Sequence, residues 1–307
     1  MASFGAQIYF VKRFLLMQVS ILGLGLIGGS LGMSLKKTAG KYKIVGYSRR
    51  PMTGYQAIEM GAIDVFEGDP ELAVRDADIV IVATPIMAVK EMFTAISGSL
   101  KKGCIVSDVG STKEQIVSWA KSILPRGIEF IGGHPMAGKE KSGIKCAEAD
   151  LFRGCNYCLV PGPGASRKAL LTLKELVKDS GARVVLMGAR EHDRFVAAIS
   201  HVPFIVSCSL FSFASRSEDW DKMKELASSG FRDSTRLASG DPTMYRDICL
   251  TNKKNIKAWL KAFKSALEVL ENSLDDDDDE LQRTFYKIKK ARDSWLNERE
   301  EGHAAEN

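Results

Sequence analysis

Apolar residues recur along this chain in two rhythms. Up to about residue 188, short runs rich in Ile, Val and Leu alternate with stretches whose apolar positions return every three or four residues. The runs Met17–Leu22, Lys43–Tyr47, Ala77–Ala83, Cys104–Ser107, Ile128–Ile131, Asn156–Val160 and Arg183–Met187 read as buried β-strands. Helical spacing follows in Leu26, Ile27, Leu31 and Leu35, and again over Ile86–Ile96, Ser111–Leu124 and Ser166–Ser180. Strands alternating with helices predict a doubly wound parallel sheet with right-handed crossovers, and ligands on such sheets bind beyond the carboxyl ends of the strands. From Ala189 only the helical spacing persists, in Phe195, Val196, Ile199, Val202, Ile205, Val206 and Leu210, then over Met244–Leu250, Lys253–Glu271 and Asp278–Arg299. Pro203 falls inside the first of these helices and predicts a kink beside His201.

The first strand runs directly into Gly23-Leu24-Gly25-Leu26-Ile27-Gly28, a G-x-G-x-x-G between a strand and a helix. In that setting the first Gly makes a tight turn, the second lets the backbone approach a pyrophosphate, and the third lets the helix pack on the strand. The helix N-terminus then offers unpaired N–H groups to the phosphates. The expected fold is therefore α/β: an N-terminal Rossmann-type doubly wound parallel sheet over 17–188, followed by an all-α C-terminal domain over 189–307. Residues 1–16 form an N-terminal extension with its positive charges, Lys12 and Arg13, at the wrong end for a secretory signal. Met17 is a candidate natural start, the alternative being an extension that covers the sheet edge.

The second strand ends in Ser48-Arg49-Arg50, without the acid that would accept from a ribose 2′-hydroxyl. A carboxylate there would repel a 2′-phosphate, whereas an Arg fork can grip it, so NADP is the expected cofactor, with NAD possible. The plainer reading is that Arg49 and Arg50 solvate the start of a surface helix. The expected dinucleotide contacts are Gly23, Gly25, Leu26, Ile27, Gly28, Ser48, Arg49 and Arg50, with Thr84 and Pro85 where the strand 77–83 stops.

Composition narrows the class further. At about 150 residues per domain, 307 residues suggest two domains. Lys and Arg number 43 against 38 Asp and Glu, a net charge of +5 that is scattered, so no nucleic-acid partner is expected. No run of about 18 uninterrupted apolar residues occurs, so no membrane span is expected either. Cys155 and Cys158 form a C-x-x-C inside an apparent strand, which puts them on opposite faces. The six cysteines have no zinc-like pairing and read as small buried hydrophobes in a reducing, cytoplasmic compartment. The acidic run Asp275–Glu280 reads as a solvated loop opening the last helix, without the spaced oxygens of a calcium loop. No metal site is expected.

Four segments are unusual for plain loops: 108–113, 132–138, 200–203 and 229–236. In the second, Gly132-Gly133-His134-Pro135 frames a histidine tightly at a strand end facing the cofactor cleft, making His134 a candidate base. The distinctive motifs are Gly-Leu-Gly-Leu-Ile-Gly-Gly-Ser-Leu at 23–31, Asp-Val-Gly-Ser-Thr-Lys at 108–113 and Gly-Gly-His-Pro-Met-Ala-Gly at 132–138. They continue in Ile-Ser-His-Val-Pro at 199–203, Ser-Gly-Phe-Arg-Asp-Ser-Thr-Arg at 229–236 and Asp-Pro-Thr-Met-Tyr-Arg-Asp at 241–247. Through these motifs, in this order, the chain resembles the prephenate and arogenate dehydrogenases.

That resemblance implies oxidative decarboxylation of a cyclohexadiene whose ring carboxylate lies para to a carbinol carbon, in tyrosine biosynthesis. It implies that His134 accepts the proton of the ring hydroxyl, that Ser111 hydrogen-bonds the same group, and that Arg236 grips a substrate carboxylate. His201 would shape the pocket, and Glu140 and Asp233 would form a polar gate over it. Members that prefer prephenate often carry a second histidine where this chain has Phe204, which together with Ser48-Arg49-Arg50 leans toward arogenate with NADP. The helical half, too thin to close a core alone, is expected to pair with a second copy, as the family's dimers do, with Phe211 and Phe213 near the contact. With sixteen residues ahead of the first strand and helices at the C-terminal end, neither a chorismate mutase domain nor an ACT domain is expected in these 307 residues. Two other classes remain open: a β-hydroxyacid-type dehydrogenase, whose usual lysine has no counterpart at Ser200-His201-Val202-Pro203, and a non-catalytic NADP-sensing module.

Overall fold

The computed structural model describes residues 16–38, 40–139, 141–275 and 278–304, so the extension before Leu16 lies outside the described residues. Its strands are β1 (Met17–Leu22), β2 (Tyr42–Tyr47), β3 (Val65–Glu67), β4 (Ile79–Val82), β5 (Ile105–Asp108), β6 (Glu129–Pro135), β7 (Asn156–Pro161) and β8 (Arg183–Leu186). Between them lie α1 (Leu26–Lys36), α2 (Pro51–Glu59), α3 (Pro70–Val74), α4 (Ile86–Ile96), α5 (Glu114–Ile123) and α6 (Arg167–Asp179). One sheet results, in the order β3-β2-β1-β4-β5-β6-β7-β8. β1 is central, with Val19 opposite Ile44 on one side and Ile79 on the other, and its last four residues are buried.

The sheet is parallel only as far as β6. β7 runs antiparallel to β6, and β8 follows β7 in parallel. The physical reason is the connection. Among the described residues between Pro135 and Asn156 the chain makes only a 3₁₀ turn (Ile144–Cys146), and an antiparallel neighbour needs no helical crossover. The same pairing lengthens β6. A strand expected to stop at Ile131 continues to Pro135 because β7 provides a ladder, Gly133 opposite Leu159 and His134 opposite Cys158. The short edge strand β3 also went unanticipated: three half-buried residues carry no readable period.

Each face of the sheet has its own core. Ile21, Leu31, Leu35, Ile81 and Leu173 lie in one, under α1 and α6, and Val80, Val82, Val89, Phe93 and Ile116 in the other, under α4 and α5. All six cysteines are free thiols, and burial raises the pKa of both Cys155 and Cys158. Cys155 sits just before β7, and only Cys158 lies within the strand.

The second half contributes α7 (Ala189–Val196), α8 (Val202–Ser215), α9 (Trp220–Leu226), α10 (Ser229–Thr235), α11 (Pro242–Thr251), α12 (Lys253–Asn272) and α13 (Asp278–Ala304). A π-turn at Ala197–His201 joins α7 to α8 into one continuous helix. This is how the expected irregularity at Pro203 is accommodated: proline has no N–H for the ladder, and the wider turn just before it absorbs the mismatch. Of the acidic run, Asp275 closes a 3₁₀ turn and Asp278 opens α13, while Asp276 and Asp277 lie outside the described residues.

By length and composition alone, Ala189–Ser215 is the one helix among the described residues that could cross a membrane, with a mean hydropathy of 1.8 over its apolar window. Its inner face packs Ala197 and Val202 into the core beneath α4 and α5, joined by Ile248 and Ile256. Its outer face leaves Ile199 70% and Phe213 80% exposed, so Phe213 is not part of a single-chain core.

Candidate active site

The turn after β1 is built for close backbone approach. Gly23 has φ +111°, and a Cβ there would sit 2.5 Å from the Ala83 carbonyl oxygen. A Cβ on Gly28 would come within 2.0 Å of the Gly23 carbonyl oxygen, so only glycine lets α1 start so near the strand. Gly25 differs: a Cβ there meets nothing within 4 Å, and the residue opens onto a cleft. α1 has no side-chain cap at Gly25, leaving its first amides available. The buried hydroxyl oxygen of Thr84, at the end of β4, has no hydrogen-bond partner among the described residues and borders the same cleft. Open space at Gly25, uncapped amides and an orphaned hydroxyl together fit a dinucleotide.

The cleft has a volume of about 810 Å³ and lies between the carboxyl edge of the sheet and the helical half. Gly25, Leu26, Ile27, Thr84, Pro85, Ser111 and His134 line it from the first half, and Arg236 from the second. Ser111 stands in the turn from β5 to α5, half-buried, and His134 projects from β6 with 9% of its surface exposed. Burial, with His192, the Lys113 ammonium and His201 nearby, holds the His134 pKa well below its ordinary value of 6.5. The imidazole is therefore neutral at pH 7 and able to accept a proton.

Behind the lining stands a buried polar layer. His134 Nδ1 lies 2.9 Å from His192 Nε2, and His192 Nδ1 lies 2.8 Å from Asp193 Oδ1. Asp193 in turn accepts from the backbone N–H of Lys113 (2.6 Å) and Glu114 (2.9 Å), at the start of α5. Asn252 Nδ2 donates to the Asp193 carbonyl at 2.7 Å and lies 3.2 Å from His201 Nδ1. On the other side, Lys113 and Asp108 form an ion pair with both side chains fully buried. Asp108 also accepts from the N–H of Gly110 (2.8 Å) and Gly133 (3.2 Å), tying β5 to the strand that carries His134.

Several anticipated residues stand elsewhere. His201 is 2% exposed and lies behind the cleft, next to Ser200, which does line it. Burial pushes its pKa down to about 4, against the opposing influence of Asp193 and with a further lowering from His192. Asp233 is exposed on α10 and pairs with Arg232 at 3.2 Å. Glu140 lies outside the described residues. Gly23 and Gly28 shape the turn without lining the cleft, and Ser48, Arg49 and Arg50 follow the end of β2, beside that turn and outside the cleft lining. There Ser48 Oγ accepts from the Arg50 N–H at 3.2 Å, while Arg49 and Arg50 are exposed. Phe204 stacks on Tyr245, ring centroids 3.4 Å apart and planes 5° from parallel, and it is Tyr245 that faces the cleft.

His192, Asp193 and Asn252 went unnoticed in the sequence. The His-Asp pair sits in the charged stretch Arg190-Glu191-His192-Asp193-Arg194, which looks like a solvated helix start. A histidine beside an acid on a helix next to the Gly188 boundary was the available signal.

Residues 31–186 match the family model for "Prephenate dehydrogenase, nucleotide-binding domain", and residues 188–290 that for "Prephenate dehydrogenase, dimerization domain". The chain is 36% identical over 281 residues to a prephenate dehydrogenase of Bacillus subtilis (strain 168), covering 90% of this chain and 75% of the relative. Among solved structures it resembles a prephenate dehydrogenase from A. aeolicus in complex with hydroxyphenyl propionate and NAD+, with TM-score 0.84, 31% identity, and 92% and 99% of the two chains covered. Synechocystis arogenate dehydrogenase superposes with TM-score 0.80 at 30% identity, covering 91% of this chain and 100% of that one. With both halves matched in order and similarity running through most of the length, the chain belongs to the prephenate dehydrogenase family of oxidoreductases.

Proposed function

We propose that this chain catalyses the oxidative decarboxylation of arogenate and/or prephenate in tyrosine biosynthesis, with arogenate and NADP as the preferred pair. One juxtaposition carries the reading: His134, Ser111 and Arg236 line the same cleft as the Gly25–Ile27 turn. Neutral His134 accepts the proton of the ring hydroxyl as the carbinol carbon is oxidised. Ser111 hydrogen-bonds the same oxygen and orients it. Arg236 supplies a forked donor for a carboxylate. The nicotinamide, when bound, is the hydride acceptor. Loss of CO₂ makes the ring aromatic and supplies the driving force, so these side chains chiefly position the substrate and hold one proton.

The cofactor preference rests on Ser48, which stands where an acid would repel a 2′-phosphate, and on the exposed guanidinium groups of Arg49 and Arg50. The substrate preference rests on Phe204, which stacks behind the cleft-facing Tyr245 and puts an apolar ring there in place of an imidazole. The two functional halves are residues 17–188 and 189–307. A homodimer through the helical half accounts for the exposure of Ile199 and Phe213, and for the match of 188–290 to a dimerization domain. Six free thiols suit a reducing, cytoplasmic setting.

A four-way steady-state assay, both substrates against both cofactors, tests the reading. The highest kcat/KM is expected for arogenate with NADP. No turnover in any combination overturns the activity, and equal efficiency with NAD overturns the cofactor assignment.

A further inference from the structure

We propose that His192 and Asp193 are positioning residues that fix His134 in the tautomer carrying its proton on Nδ1, so that Nε2 is the basic nitrogen. The inference rests on the reading of His134 as the base.

With His192 neutral, the chain of contacts admits one consistent assignment of protons. Asp193 spends one oxygen on each of two backbone N–H groups at the start of α5, where the helix dipole favours negative charge. A carboxylate in that role only accepts, so His192 Nδ1, 2.8 Å from Oδ1, is the donor. A neutral imidazole has one donor and one acceptor, which leaves His192 Nε2 bare. Across 2.9 Å it takes a hydrogen bond from His134 Nδ1–H. The opposite assignment would set the His192 Nδ1 lone pair against a carboxylate oxygen. His134 Nε2 is therefore the nitrogen with a lone pair to offer.

The same chain suits the reaction. When the substrate O–H bond breaks, its proton forms a bond to His134 Nε2 and the ring becomes an imidazolium. The Nδ1–H donation to His192 then becomes charge-assisted, and the Asp193 carboxylate balances the new charge two contacts away. No proton need travel beyond His134. The groups around that ring are His192 and Asp193 on α7, Lys113 with Asp108 at the end of β5, His201 in the π-turn, and Cys158 across the strand pair. His192 and Asp193 belong to the helical half, whereas His134 and the start of α5 belong to the sheet half. The second half thus determines the tautomer of a base carried by the first.

Asp193→Asn tests this with little change of shape. The amide oxygen can go on accepting from the Glu114 N–H, while the NH₂ replaces the oxygen shared by the Lys113 N–H and His192 Nδ1, gives up the former and donates to the latter, which inverts both tautomers. The expected result is a fall in kcat on the order of 10²–10⁴-fold, with the substrate KM and NADP affinity little changed. His192→Gln, which keeps an acceptor within reach of His134 Nδ1–H, should retain on the order of tenfold more kcat than His192→Leu. Nitrogen-15 spectra of labelled protein should show His134 protonated on Nδ1 in the parent chain and on Nε2 in Asp193→Asn. A kcat for Asp193→Asn near that of the parent, equal losses for His192→Gln and His192→Leu, or an Nε2–H His134 in the parent would each overturn the proposal. If Asp193→Asn does not fold, the two His192 variants and the parent spectrum decide. If the parent turns over neither substrate, the base assignment fails, and the spectra still report whether the chain of contacts sets the tautomer.

Discussion

The Lys113 ammonium and the Asp108 carboxylate pair without any exposed surface, against the Gly132–Gly133 backbone that leads into His134. Removing one member leaves the other as an uncompensated buried charge. Lys113→Met should lower unfolding stability by roughly 3–5 kcal/mol, read from urea denaturation. Combining Lys113→Met with Asp108→Asn should lose less, because no charge remains unpaired. A single-variant loss below about 1 kcal/mol would show that water reaches the carboxylate.

His134→Asn removes the proton acceptor and keeps a side chain of similar size. Turnover should fall on the order of 10²–10⁴-fold while NADP affinity stays near that of the parent. Kinetics alongside calorimetric titration of NADP separate the two effects. Normal turnover would dismiss His134 as the base.

Two alanine substitutions in one motif should behave in opposite ways. At Gly28 the new Cβ meets a backbone carbonyl oxygen at 2.0 Å, so the start of α1 must move and the melting temperature should drop by several degrees. At Gly25 the Cβ meets nothing within 4 Å, so the melting temperature should be unchanged while dinucleotide affinity falls about tenfold or more. Equal dinucleotide affinity for Gly25→Ala and the parent would place the phosphates elsewhere.

Ser48→Asp places a carboxylate at the end of β2. The ratio of kcat/KM for NAD over NADP should rise by about tenfold or more, through repulsion of the 2′-phosphate and a new acceptor for a 2′-hydroxyl. An unchanged ratio would mean that the end of β2 does not read the ribose.

Acid should destabilise the fold through His201. Its folded pKa of about 4 lies below the ordinary 6.5, so the unfolded chain binds this proton first. The contribution is complete above about pH 6.5 and is lost as pH falls toward 4, at most about 3 kcal/mol. His134, shifted the same way, adds to the trend. His201→Asn should show a shallower loss than the parent when urea midpoints at pH 7.5 and 4.5 are compared.

How much of this was readable beforehand depends on whether the determinants are local. The turn at Gly23–Gly28, His134 in its Gly-Pro frame and the helical second half are written in contiguous residues, and the structure places them where those residues suggest. The reversal of β7 is not, because the apolar pattern of Asn156–Val160 carries no direction and only the absence of a helix before it does. Burial of Asp108 and Lys113 could not be read from a motif that looks like a loop. His192 and Asp193 lie further still from local inference: they become interior only when α7 docks on the start of α5, a contact between segments about 80 residues apart.

The π-turn at Ala197–His201 amounts to one spare residue inside a long helix. Each residue of a helix turns the following ones by about 100°, so losing that residue would re-aim everything downstream, including Phe204 on Tyr245, while leaving His192 and Asp193 in place. The support of the base and the aromatic wall of the cleft are thus phased independently along one rod. A single codon gained or lost there would re-aim the wall together with His201 and its contact to Asn252, while the His192–Asp193 pair keeps its own phase.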